Sequence, residues 1–362
     1  MNLIGYPRRY IQGNGTLDCI GEILRDFNKK PFFVVDRAIK NNALERVKQS
    51  LAKEGLQGKF TEFVGECSRS EITRQIRICT QEGCEVIVGM GGGKTADTVK
   101  AIALELSFPV VIVPTIASND APTSRVIVIY SDAGVLTEVL TLPFNPDIVV
   151  VDTGIIATAP KRYLAAGIGD ALATKFEAEQ CYASGAMNFF KARPCYAALV
   201  MADSSYQLIR EFGVSALRSA GTGVVTEALE RVIEANILLS GLGFESGGVA
   251  AAHAINQGFT LIEELHSSLH GENVAFGLLA QFVLENRSER FLRDMILFYG
   301  SLGLPRTLSQ LGLKDVTEEN LYVIARHACR ENSYIYNMTV EIDVDKVIKA
   351  IRTADALGRE LS

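Results

Sequence analysis

The chain has 362 residues, of which 36 are Lys or Arg and 42 are Asp or Glu, for a formal net charge of −6. That balance argues against duplex nucleic acid or an anionic membrane surface as a partner, because both attract an excess of positive charge. Hydrophobic residues make up 48%, enough to fill cores in about two or three domains' worth of chain. No apolar run approaches the ~20 residues of a membrane-spanning helix. The N-terminus lacks the apolar centre of a signal peptide, so a cytoplasmic protein is expected. Seven cysteines form no Cys-x-x-Cys pair, and their odd number reads as reduced packing residues.

Short β-branched runs alternate with amphipathic stretches in the first part of the chain, the pattern of a parallel sheet covered by helices. The clearest strand is Pro31-Phe32-Phe33-Val34-Val35-Asp36, followed by a helix over 38–54 and a strand over 59–64. Ser68-Arg69-Ser70-Glu71 fits a capping box and predicts a helix that ends near Gly83. A buried strand over 84–89 enters a glycine-rich turn, and a helix over 95–106 leads to a strand over 109–113. Strands over 125–130 and 135–142 flank the hairpin turn Ser131-Asp132-Ala133-Gly134. A strand over 147–152 is expected to close the sheet.

Beyond about residue 155 strand signals nearly stop and helical periodicity dominates. The boundary is placed at 157–162, where Pro160 precedes the first helix. The expected organisation is an α/β Rossmann-like nucleotide domain over 1–157 and an all-helical, metal-binding domain over 158–362.

Gly89-Met90-Gly91-Gly92-Gly93-Lys94-Thr95 follows a strand and opens a helix, so unobstructed backbone amides and a helix N-terminus converge where a diphosphate can sit. It misses both common fingerprints: Lys94 replaces the third glycine of G-x-G-x-x-G, and Val88 stands where a P-loop needs glycine. Asp36, ending the first clear strand, has the place of the acid that receives the adenosine ribose hydroxyls, which favours NAD over NADP.

There are only four histidines, and His253, His266 and His270 lie within 18 residues. His253 and His270 sit in apolar helical sequence and suggest a metal site, although His266 and His270, four apart, form a rival pair. The acidic candidate is Asp170, a charge set in alanine, glycine and leucine that is costly to bury without a partner.

Together the glycine loop, the isolated aspartate and the paired histidines resemble the glycerol dehydrogenase branch of the iron-containing, or group III metal-dependent, alcohol dehydrogenase family. The specific segments are Val88-Gly89-Met90-Gly91-Gly92-Gly93-Lys94-Thr95-Ala96-Asp97-Thr98, Pro114-Thr115-Ile116-Ala117-Ser118-Asn119-Asp120-Ala121-Pro122-Thr123-Ser124, Gly167-Ile168-Gly169-Asp170-Ala171-Leu172-Ala173-Thr174, Gly241-Leu242-Gly243-Phe244-Glu245-Ser246-Gly247-Gly248 and His270-Gly271-Glu272. The resemblance implies a dehydroquinate synthase-like fold, with Asp170, His253 and His270 binding the catalytic metal. It implies that Asp120 binds a substrate hydroxyl. It further implies NAD contacts from Asp36, Gly93, Lys94, Thr115, Ser118, Ser124, Val126 and Tyr130, to which the glycine loop adds Gly91, Gly92 and Thr95.

Family members form homo-oligomers, often octamers, and the resemblance extends that expectation to this chain. Iron-dependent relatives carry a further histidine one turn after the ligating aspartate; here that residue is Thr174, and two histidines with one carboxylate suit catalytic Zn2+. The expected reaction is NAD-dependent oxidation of a small polyol, glycerol to dihydroxyacetone, with the metal acidifying the hydroxyl and nicotinamide accepting hydride.

Three positions depart from the branch. Asn256 stands where a histidine is usual, Tyr336 likewise, and Arg125 replaces a small residue. Arg125 keeps a hydroxycarboxylate dehydrogenase as the nearer alternative. A 3-dehydroquinate synthase-like lyase needs several cations facing the metal, and the segments 246–258 and 265–273 supply none. A catalytically silent homologue is disfavoured by the intact Asp170, His253 and His270.

Overall fold

Six of the eight strands that form between Arg9 and Asp152 hydrogen-bond as one parallel sheet in the computed structural model, which describes residues 1–361. The strands are β1 (Arg9–Gly13), β2 (Pro31–Asp36), β3 (Lys59–Phe63), β4 (Val86–Gly91), β5 (Val110–Pro114), β6 (Val126–Tyr130), β7 (Leu136–Thr141) and β8 (Ile148–Asp152). The sheet order is β1-β8-β5-β4-β2-β3, and every pairing is parallel. β4, β5 and β8 are buried along their whole length, which is why they read as unbroken apolar runs rather than alternating ones. β6 and β7 form a separate antiparallel hairpin whose turn contains Gly134 at φ 81°.

Two sequence expectations need adjustment. The sheet does not close at β8: β1 pairs outside it, in register from Arg9 with Ile148 to Gly13 with Asp152. This edge strand carries Arg9 and Gln12 and stays half-exposed, so it has no apolar signature. The capping box is half made. Ser68 accepts from the Glu71 amide, but the Glu71 carboxylate turns instead to the Val64 amide, Arg74 and Gln75.

The topology creates a switch point. From β2 the chain moves outward to β3, returns to place β4 on the other side of β2, and then proceeds the opposite way to β5. Ligands of open α/β sheets bind at the carboxyl ends of the strands flanking such a reversal. Those ends are Asp36 on β2 and Gly91 on β4.

Two compact units are present. The α/β unit comprises Gly5–Pro160 with Ser219–Gly241; the helical unit comprises Met1–Ile4, Lys161–Arg218 and Leu242–Ser362. Helical periodicity does not tell which body a helix packs on. The segment Ser219–Gly241 joins the sheet unit because Glu230 receives Gln12 Nε2 at 2.8 Å and Thr153 Oγ1 at 2.7 Å, and Gly221 N–H reaches the Ala157 carbonyl. Conversely, Met1 and Leu3 offer carbonyls to Arg193 and Asn188 of the helical unit. Among the described residues no strand forms after β8, and no helix is long and apolar enough to cross a membrane.

Within the α/β unit the helix Gly93–Leu106 carries a fully buried lysine. Lys100 Nζ pairs with Asp97 Oδ1 at 2.8 Å and donates to the carbonyls of Ala121, Ser124 and Val126 at 3.1, 3.3 and 2.5 Å. Asp97 Oδ2 accepts from the Val128 amide at 3.1 Å. One turn of helix thereby fixes the segment 121–128. Replacing Lys100 by Met leaves buried acceptors and a carboxylate without their cation, and is expected to cost about 3–5 kcal/mol in chemical denaturation. A loss below about 1 kcal/mol, as for an exposed pair, would show the lysine to be idle.

Candidate metal centre and nucleotide loop

Three helices of the helical unit bring Asp170, His253 and His270 together. Asp170 lies in the middle of Lys161–Ser184, His253 in the first turn of Ala251–Phe259, and His270 opens His270–Leu284. Their ligand atoms all fall within 4.8 Å of one another, the spacing of groups able to hold one metal ion. His253 Nε2 is 3.5 Å and His270 Nε2 3.3 Å from Asp170 Oδ1.

Glycines permit this convergence. A Cβ on Gly271 would run into the Ala166 carbonyl, and one on Gly169 would stand 2.5 Å from the Gly271 carbonyl, so the helices of Asp170 and His270 cross backbone to backbone. A Cβ on Gly277 would stand 2.6 Å from the Ala252 carbonyl, bringing the His253 helix equally close. The start of the His270 helix is fixed by Glu272, which accepts the Leu269 amide at 2.7 Å and pairs with Arg162 at 2.6 Å.

Asp170 is fully buried, yet neither carboxylate oxygen accepts a hydrogen bond. An isolated carboxylate in such surroundings is strongly disfavoured, and a cation between it and the two imidazoles removes the problem. Burial by itself would raise the Asp170 carboxyl, but the His270 and His253 imidazoles beside it hold it well below the usual carboxylate range. Burial likewise pulls the His253 imidazole down, and the Glu177 and Asp170 carboxylates more than reverse this, leaving it well above the ordinary histidine value. Two imidazoles and one carboxylate are the donor set of an open, catalytic metal site.

Sequence reading missed Glu177. Its Oε2 accepts from His253 Nδ1 at 2.5 Å, which leaves Nε2 as the nitrogen open to a metal, while its Oε1 accepts the Ala250 and His253 amides at 2.7 and 3.0 Å. The buried acid thus caps the helix that bears His253 and orients that ring. The available signal was its spacing: Glu177 follows Asp170 by seven residues, two turns along one helix face. On the other side Asn256 Nδ2 lies 3.3 Å from His270 Nδ1. With its amide turned over, Asn256 presents an acceptor to the Nδ1–H of a His270 that ligates through Nε2.

His266 and His327 stand outside this group, and His266 Nε2 donates to the Thr260 carbonyl at 3.0 Å. Tyr336 Oη donates to the Cys329 carbonyl at 2.7 Å, and Arg125 Nη1 to the Leu142 carbonyl at 3.3 Å. Thr174, one turn after Asp170, is buried.

The α/β unit gathers most of the cofactor candidates at the switch point. Gly92 precedes the helix Gly93–Leu106, the Gly91 carbonyl accepts the Thr115 amide at 3.0 Å, and a Cβ on Gly91 would meet Thr95 Oγ1 and stand 3.0 Å from Asp36 Cβ. A Cβ on Gly93 would collide with Asn119, next to Ser118. Asp36 Oδ1 accepts the Ala38 amide at 2.9 Å, and Lys94 Nζ pairs with Glu66 at 2.5 Å. Ser124 and Val126 are buried against Lys100, and Tyr130 closes β6, where burial raises its phenol. Asp120, buried, lies just before the short turn Ala121–Thr123.

Removing the charge that orients His253, by Glu177→Gln, is expected to weaken divalent-metal affinity about 10- to 100-fold in a chelator competition while the protein stays folded. Unchanged affinity would show that Glu177 only caps its helix.

A family model described as iron-containing alcohol dehydrogenase matches residues 7–153. The chain is 44% identical over 360 residues to a glycerol dehydrogenase of Citrobacter freundii, covering 99% of each chain. It superposes on a probable glycerol dehydrogenase from Sinorhizobium meliloti 1021 with a TM-score of 0.94 at 41% identity, covering 99% of this chain and 100% of the other. It superposes on glycerol dehydrogenase from Schizosaccharomyces pombe with a TM-score of 0.95 at 35% identity, covering 100% of this chain and 92% of the other. With its parallel-sheet α/β unit and helical unit, the chain belongs to the iron-containing alcohol dehydrogenase family.

Proposed function

We infer that this chain is an NAD-dependent oxidoreductase acting on a CH–OH group of a small polyol, glycerol to dihydroxyacetone, with Zn2+ held by Asp170, His253 and His270. Family membership supports a nicotinamide cofactor and a metal, and the near-full-length relatives named glycerol dehydrogenase support the polyol. The observation that carries the metal reading is the buried Asp170 carboxylate, which accepts no hydrogen bond and faces two histidine Nε2 atoms. Zinc in particular is supported by the donor set and by Thr174, which offers no third imidazole.

When bound, the metal supplies a Lewis acid that lowers the pKa of the substrate hydroxyl, and NAD supplies the hydride acceptor. The residues prepare for this. Glu177 holds the His253 ring so that Nε2 points at Asp170, and Asp120 is the group proposed to receive another hydroxyl of the polyol. Gly91, Gly92, Gly93 and Thr95 form the helix N-terminus proposed for the pyrophosphate, with Asp36 on the adenosine ribose. Lys94, Thr115, Ser118, Ser124, Val126 and Tyr130 complete the proposed NAD contacts. Asn256 accepts and donates hydrogen bonds but does not shuttle a proton near neutral pH, so the proton is expected to leave through solvent or substrate hydroxyls. A homo-oligomeric, cytoplasmic enzyme belongs to the same proposal, supported by the family resemblance.

Arg125 motivates a second reading as a hydroxycarboxylate dehydrogenase. Metal analysis of the purified protein, with NAD reduction at alkaline pH over glycerol, 1,2-propanediol and 2-hydroxy acids, separates the two. Bound zinc with polyol turnover is expected, both abolished by His270→Ala. Turnover of the hydroxy acids alone would favour the second reading, and a His270→Ala protein retaining metal and activity would refute the metal assignment.

A further inference from the structure

The loop bearing Thr115, Ser118, Asp120 and Ser124 is met by a helix from much later in the chain. The helix Glu227–Glu234 runs into a π-helical turn, Ala235–Leu239, in which the Ser240 N–H reaches back five residues to the Ala235 carbonyl. Such turns are rare and concentrate at functional sites. Each inserts one residue, which rotates all later side chains by about 100° about the helix axis.

Three hydrogen bonds join this turn to the loop. Asn236 Nδ2 donates to the Ala117 carbonyl at 3.1 Å, Thr123 Oγ1 to the Ile237 carbonyl at 2.8 Å, and Ser240 Oγ to Asp120 Oδ2 at 2.7 Å. The next residue packs equally close: a Cβ on Gly241 would stand 2.9 Å from the Asp120 carbonyl and run into the Thr123 hydroxyl. Ser240 and Asp120 are both buried, so the hydroxyl–carboxylate bond is shielded from water and charge-assisted. Without the inserted residue, Ser240 would leave the helix in another direction.

We propose that Ser240 is a positioning residue: the π-helical turn delivers its hydroxyl to the Asp120 carboxylate, fixing the orientation in which that carboxylate receives a polyol hydroxyl. This rests on the assignment of Asp120 to substrate. If Asp120 binds substrate equally in ground and transition states, misorienting it raises KM and leaves kcat largely unchanged.

Steady-state kinetics with glycerol and NAD on Ser240→Ala, Asp120→Asn and the double variant test it, with NADH affinity by fluorescence titration and Tm as controls. Ser240→Ala is expected to raise the glycerol KM about tenfold, the loss of one charge-assisted hydrogen bond, with kcat within about twofold. NADH affinity and Tm should stay near wild type, and Ser240→Ala should add nothing in the Asp120→Asn background. Wild-type KM for Ser240→Ala beside a raised KM for Asp120→Asn would overturn the positioning role alone. Unchanged KM in both would overturn the Asp120 assignment with it. A KM increase that adds fully in the double variant, or that comes with weakened NADH binding and a lower Tm, would mark Ser240 as merely structural.

Discussion

The buried carboxylate of Asp170, set in a helix segment of alanine, glycine and leucine, is the constraint on which the helical unit is built. Asp170 has no access to water and no hydrogen-bond donor of its own, so its charge has to be balanced by what the neighbouring helices bring to it. They bring two imidazoles, and one of those is held by a second buried acid, Glu177, whose own charge is met by two amides at a helix start. Two buried acids facing two imidazoles are stable as a set only with positive charge between them, whether protons or a cation. The family resemblance and the donor chemistry favour the cation.

In the α/β unit the tight element is the glycine loop proposed for the nucleotide, where backbone segments approach closely. The reversal of strand order puts Asp36 and Gly91 side by side, and the absence of a Cβ at Gly91 leaves room for Thr95 and Asp36. Around this loop the flanking segments are tied down by hydrogen bonds. Lys100 grips the carbonyls of 121–126 from one helix, and the π-helical turn grips 117–123 from another. Buried polar ties of this sort specify one loop conformation where apolar packing would tolerate several.

The central strands were legible because doubly covered parallel strands are continuous runs of Val, Ile and Phe; β1 was not, since an edge strand containing Arg9 and Gln12 has no such pattern. The Asp170, His253 and His270 candidates were legible as isolated polar residues in apolar sequence and through the family resemblance, whereas spacing alone did not separate His266 from His270. Glu177 looked like any helical glutamate, because its importance depends on a helix start 73 residues later that turns its amides toward it. The attachment of 219–241 to the sheet and the π-helical turn within it are products of long-range contacts through Glu230, Asn236 and Ser240, which local periodicity does not encode.

The most direct test of the central claim is anomalous diffraction at the zinc edge from crystals of the purified, zinc-loaded protein. A peak is expected at about 2.0–2.2 Å from His253 Nε2, His270 Nε2 and an Asp170 carboxylate oxygen, with Glu177 still bound to His253 Nδ1. A peak centred on other residues, or none at this triad at full zinc occupancy, would contradict it.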